Sequence, residues 1–85
     1  MHLINVGFGN MISSSKIVAV VSPDSAPVKR IVQEAKEIGK AIDASQGRKT
    51  KSVIIMDSNH VVLSALTTDI VANRINNENE GDLNE

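Results

Sequence analysis

Val28, Ile31, Val32, Ala35 and Ile38 recur at i, i+3, i+4, i+7 and i+10, which lays one apolar stripe along an α-helix. The stripe is bounded at both ends. Ser22-Pro23-Asp24-Ser25-Ala26-Pro27 precedes it, where Asp24 or Ser25 can cap and Pro27 suits a first turn whose N–H groups lack partners anyway. Gly39 stands at the C′ position that commonly ends a helix. Around this helix lie segments of strand character, and Ile17–Val21 and residues 53–56 are apolar without alternation. One helix of about 12–14 residues covers one face of a sheet, so strands apolar on both faces leave a second face bare. Monomers rarely expose a patch of that kind, and the patterning therefore predicts self-association.

The other elements are shorter. Residues 3–8 read as a strand with Ile4, Val6 and Phe8 on one face, and Gly7, Gly9 and Asn10 mark a bulge or turn. Residues 11–15 form either a short strand or a loop, and 16–22 a second strand. Residues 41–44 make a short strand, followed by a loop over 45–50. Residues 53–56 and 61–66 are two strands joined by Asp57-Ser58-Asn59-His60, a hairpin by turn composition. Thr67 or Thr68 can cap a short final helix over 69–75. This order predicts an α+β fold: a small, mostly antiparallel sheet packed by one main amphipathic helix, plus a short C-terminal helix.

Eighty-five residues suit one domain, which removes roughly 60–65% of the unfolded chain's surface from water. Hydrophobic residues make up 41% of the chain and Phe8 is the single aromatic, so the core is aliphatic. The absence of cysteine excludes disulfides and thiolate metal sites and suits a reducing compartment. The N-terminus carries no basic n-region and no apolar run approaches about 18–20 residues, so a cytoplasmic protein without a membrane span is expected. The net charge of −1 averages two unlike parts. Glu78, Glu80, Asp82 and Glu85 lie in the last eight residues, and without them nine Lys and Arg face six Asp and Glu, a net +3 over residues 1–77. The expected organisation is a mildly basic domain over residues 1–76 and an acidic, disordered tail over 77–85.

Three cations fall within Gly47-Arg48-Lys49-Thr50-Lys51, immediately before an apolar strand. A loop held by that strand presents a fixed row of positive charge, with Arg suited to a groove and Lys to phosphates. Repeated around an oligomer, such a patch becomes a continuous track whose avidity exceeds any single contact. Lys29 and Arg30 sit in the first helical turn, where the macrodipole disfavours cations but a phosphate is welcome. Arg30 also has Glu34 at i+4 as a plain ion-pair partner. Lys16 follows Ser13-Ser14-Ser15, three hydroxyls able to bond phosphate oxygens.

Other chemistries find little support. Gly7-Phe8-Gly9-Asn10-Met11-Ile12 has Ile at the third glycine position of a dinucleotide fingerprint, and no suitable helix follows. His2, Asp43, Asp57 and His60 form no spacing that would place an acid, a base and a nucleophile together, so neither enzyme activity, a metal site nor a cofactor is expected. Single-stranded nucleic acid calls for aromatic platforms, and only Phe8 exists. Duplex DNA held by its backbone needs cations and hydroxyls, which are present.

Asn5-Val6-Gly7-Phe8-Gly9-Asn10, Val21-Ser22-Pro23-Asp24-Ser25-Ala26-Pro27-Val28-Lys29-Arg30, Ile42-Asp43-Ala44, Gly47-Arg48-Lys49-Thr50, Val53-Ile54-Ile55-Met56-Asp57-Ser58 and Val71-Ala72-Asn73-Arg74 closely resemble the RemA family of bacterial extracellular-matrix regulators. The resemblance spans about residues 3–75. It implies a DNA-binding activator of biofilm-matrix genes, assembled as a ring of about seven or eight subunits with duplex bent around its outside. It also implies DNA contact at Lys16, where the family usually has Arg, and at Arg48 and Lys49, where it usually has two Arg. Lys51 and Arg74 are further candidates. The two Lys keep the charge but lose the planar bidentate guanidinium. The rival expectations are a self-assembling structural protein and a regulatory domain for a small ligand, neither of which binds nucleic acid.

Overall fold

The computed structural model describes residues 2–84, with side chains described from His2 to Asn77. Among the described residues six strands and two α-helices follow in the order β1 (Leu3–Asn5), β2 (Met11–Ser13), β3 (Ile17–Val21), α1 (Ala26–Glu37), β4 (Ala41–Asp43), β5 (Ser52–Met56), β6 (Val61–Ser64) and α2 (Thr68–Asn84). The main sheet has the order β3-β5-β6-β4, with β1 and β2 forming a separate antiparallel pair. All pairings in the main sheet are antiparallel except β4 with β6. The mixed α+β class expected from the sequence is the one observed.

Helix α1 begins where its cap chemistry places it. Ser25 is the N-cap, its Oγ accepting from the Val28 N–H at 3.3 Å, and Pro27 lies in the first turn. Beyond the C-terminus Gly39 takes φ +74, the left-handed geometry that closes a helix without a Cβ penalty. The apolar stripe divides on packing. Val28, Val32 and Ala35 pack with Val21, Ala41, Val53, Val61 and Leu63 to form one core layer. Ile31 and Ile38 turn outward, Ile38 being 68% exposed at the helix end.

The second face of the sheet is not bare, which corrects the expectation drawn from patterning. Ile54 and Val62 on that face pack with Ile4 and Val6 from the β1 segment, Val71 from α2 and Ala44, and Ile12, Val20, Leu66 and Ile75 close over them. The β1–β2 pair and α2 thus supply from the same chain the cover that a second copy was expected to supply. Short segments at the two ends of the sequence hid this, because each contributes only two or three apolar residues to the layer. Exposed apolar side chains include Val18 and Ile42 at the sheet's open edges on β3 and β4 and Ile38 at the helix end, and also Leu3, Phe8 and Met11 on the β1–β2 pair and its turn. The β3 edge carries an irregularity between Ile17 and Ala19 that turns Val18 outward.

Two further corrections concern local structure. The strand expected over residues 3–8 stops at Asn5, and Phe8 is not on the buried face. Val6 donates to Asn10 O at 2.8 Å and Asn10 to Gly7 O at 3.0 Å, folding residues 7–10 into a tight turn. At the other end, α2 starts as expected, with Thr67 Oγ1 accepting from Ile70 N–H at 3.3 Å, but its span of Thr68–Asn84 exceeds the short helix anticipated. The side chains of the acidic segment from Glu78 onward lie outside the described residues.

Candidate nucleic-acid interface

The basic loop between β4 and β5 is tethered at both ends. At its start, Ser45 donates to Asp43 Oδ1 from its backbone N–H at 2.9 Å and from its hydroxyl at 2.5 Å. These two donors hold the Asp43 carboxyl below its ordinary range, with Lys36 adding a weaker favourable charge and burial opposing slightly. Gln46 and Gly47 then take φ +56 and +79, and Arg48 N–H closes the turn on Ser45 O at 3.0 Å. Positive φ at both central positions is the type I′ geometry, for which Gly at the second costs nothing. At its end, Lys51 N–H donates to Ser64 O at 2.8 Å, fastening the loop to β6.

Arg48, Lys49 and Lys51 are all exposed, while Thr50 between them is half-buried. The Arg48 guanidinium lies 5.7 Å from the centre of the Phe8 ring. Lys49, Thr50 and Lys51 line a shallow hollow of about 150 Å³ with Pro23, Asp24 and Thr67. A neighbouring cleft of about 230 Å³ shares Thr50 and Pro23, has Val32, Val53 and Leu63 as its floor, and is rimmed by Lys29, Gln33 and Lys36. Lys29 therefore joins the loop's charge, since the α1 start packs beside the β5 start.

Lys16 does not join it. It ends a short 3-10 turn, Ser14–Lys16, and its carbonyl accepts from Asp57 N–H at 2.8 Å beyond the far end of β5. The loop precedes the near end of that strand, so at about 3.3 Å per residue the two cationic positions stand roughly 20 Å apart. A single patch drawn from Lys16, Arg48, Lys49 and Lys51 does not form within one protomer. Lys16 Nζ also lies 3.9 Å from Asp57 Oδ2, an exposed ion pair of small worth. The three serines before it are engaged locally, Ser13 with Ser15 at 3.0 Å and Ser14 with His2 O at 3.3 Å.

Arg30 is exposed on α1, lines neither hollow and makes no ion pair with Glu34. Arg74 has a fold role: its Nη1 donates to Asn5 O at 2.6 Å and ties α2 to β1. In the hairpin turn, His60 Nδ1 meets Ser58 Oγ at 2.6 Å. Two contributors to the loop's geometry escaped sequence reading. Asp43 anchors the loop, and the signal available was a short acceptor two residues before Ser45 in a turn. Phe8 reaches Arg48, and the only hint was its bracketing by two glycines.

Residues 3–75 match the model of the RemA-like family, described as extracellular matrix regulatory protein A-like. A protein of Geobacillus kaustophilus is 57% identical over 75 residues, covering 88% of this chain and 86% of its own. One from a Thermoanaerobacter species is 59% identical over 80 residues, covering 94% and 83%. One from Clostridium novyi is 53% identical over 85 residues, covering 100% and 94%. Each is named a candidate regulatory protein.

Proposed function

Since the chain belongs to the RemA-like family, we propose that it is a regulator that binds duplex DNA through the loop at Arg48, Lys49 and Lys51, and does so as a ring-shaped homo-oligomer activating extracellular-matrix genes. The observation that carries this reading is the loop itself. Three exposed cations without carboxylate partners among the described residues stand on a turn fastened at both ends. Such a loop loses little conformational freedom when a phosphate backbone arrives. Lys29 extends the charge toward α1, and Lys16 supplies a second, separate contact.

The distance between Lys16 and the loop gives self-association a role. One protomer offers two small cationic points, and copies repeated around a ring would align them along bent duplex. The surfaces that favour association are the open β3 and β4 edges with Val18, Ile38 and Ile42. Because β3 and β4 are the opposite edges of the sheet, contact between them is head-to-tail, the type that gives a ring where the rotation from copy to copy closes. Base-edge readout would be slight, with preference arising from deformable or A·T-rich duplex.

Replacing Arg48 and Lys49 together by Ala is expected to abolish retardation of promoter duplex in a gel while light scattering reports an unchanged particle. A double variant that retards duplex like wild type would remove the loop from the interface. A second reading, a regulatory site for a small ligand, is favoured only by the cleft between Lys29, Lys36 and Thr50. A thermal-shift screen of metabolites tests it.

A further inference from the structure

The one aromatic side chain of this protein is displayed, not buried. Phe8 is 50% exposed and belongs to neither layer of the aliphatic core. Its backbone stands at φ +55 between Gly7 at +114 and Gly9 at +77. A bulky residue holds the left-handed region only where its surroundings impose it, and such outliers concentrate at functional positions. Here the imposing contacts are visible. Asn5 Oδ1 accepts from Gly7 N–H at 2.8 Å, and Asn10 Nδ2 donates to Gly7 O at 2.8 Å, so two asparagines lock the turn from either side. Ser64 Oγ donates to Val6 O at 2.7 Å, fixing the turn to β6 beside the strand end that also holds Lys51.

The locked turn carries the ring to 5.7 Å from the Arg48 guanidinium, forty residues further along the chain. Arg48 has no carboxylate partner among the described residues, so the ring face is the contact that restricts it. We propose that Phe8 is a positioning residue of the duplex interface, its ring holding the Arg48 guanidinium outward for insertion into a DNA groove. This rests on the duplex-binding reading above. Leu would preserve apolar bulk at position 8 and remove the π face, whereas Tyr would preserve both.

The test is a double-mutant cycle on the full chain with promoter duplex, joined to NMR of the free protein. Phe8→Leu is expected to weaken binding roughly two- to fivefold for each engaged protomer. Phe8→Tyr should bind like wild type, and Phe8→Leu should cost nothing further once Arg48→Ala is present. In free protein the Arg48 Nε–H resonance should move on Phe8→Leu, because the ring current is lost. The assignment is overturned if Phe8→Leu binds like wild type, or if its effect is undiminished in the Arg48→Ala background. It is equally overturned if Phe8→Leu changes the particle mass, since the ring would then be a contact between copies, or if the resonance stays put. Failure of wild type to retard duplex sinks the duplex reading and this assignment with it, whereas retardation with an additive cycle sinks this assignment alone.

Discussion

Two serines that face each other across β5 and β6 show how differently one chemical group behaves in the same layer. Ser52 and Ser64 are register partners and both are fully buried. Ser64 Oγ donates to Val6 O at 2.7 Å and accepts from Leu66 N–H at 3.0 Å, whereas Ser52 Oγ has no partner. Ser64→Ala leaves the buried Val6 carbonyl and the part-buried Leu66 amide short of a partner, so a loss of about 1–3 kcal/mol is expected by urea denaturation. Ser52→Ala removes a hydroxyl that gains nothing inside, and its stability should equal or exceed wild type. Asp43 is a residue of another kind, because its contribution is ionic. Its carboxyl is held below its ordinary range, first by the Ser45 hydroxyl and then by the Ser45 N–H. A depressed carboxylate adds stability above its unfolded pKa and loses it as the pH falls through the folded one. The stability difference between wild type and Asp43→Ala is therefore expected in full at neutral pH and should shrink below the ordinary carboxylate range. A difference constant into strong acid would mean that the charged form is not what anchors the loop.

At the scale of elements, α1 is the case in which local signals and packing agree. Its cap, its first-turn proline, its stripe and its terminal glycine all point to one helix, Ala26–Glu37. Ser25→Ala is expected to cost about 1 kcal/mol and Ser25→Gly only a few tenths, read from chemical denaturation midpoints. Equal losses for the two would show that the 3.3 Å bond to Val28 is not what sets the helix start. The elements that misled are short. The strand starting at Leu3 has three residues and ends where the turn at 7–10 begins, so alternation alone carried Phe8 onto a face it never reaches. The same turn makes Phe8 available to Arg48, a contact spanning forty residues that no window of sequence contains. Strand β4 lies parallel to β6 because α1 carries the chain from the β3 edge to the far edge, so that β4 runs the same way as β3, and β6 returns to that direction after the antiparallel β5.

For the whole molecule, charge and shape have to be weighed together. A net +3 over residues 1–77 is small for a duplex ligand, and the cations proposed for contact, Lys16 and the Arg48–Lys51 loop, stand at opposite ends of β5. If affinity comes from repetition around an assembly, duplex binding should fall by at least tenfold between about 50 and 200 mM salt, because several phosphates are neutralised at once. Light scattering at micromolar concentration should report a multimer that persists across that range. Tight binding by a monomer, or a response flat in salt, would exclude the repeated-contact mechanism.

Periodicity and punctuation were sufficient to place α1, the β5–β6 hairpin, the basic loop and the mixed α+β class, because each rests on contacts within a few residues of itself. The loop's three cations were legible for the same reason. How the second sheet face is covered was not legible, since Ile4, Val6, Val71 and Ile75 come from opposite ends of the chain and meet only through long-range packing. Nor was the separation of Lys16 from Arg48, which is a consequence of which end of a strand each precedes or follows. Residue type sets the charge a chain can offer, and the path of the backbone through space sets where each charge stands.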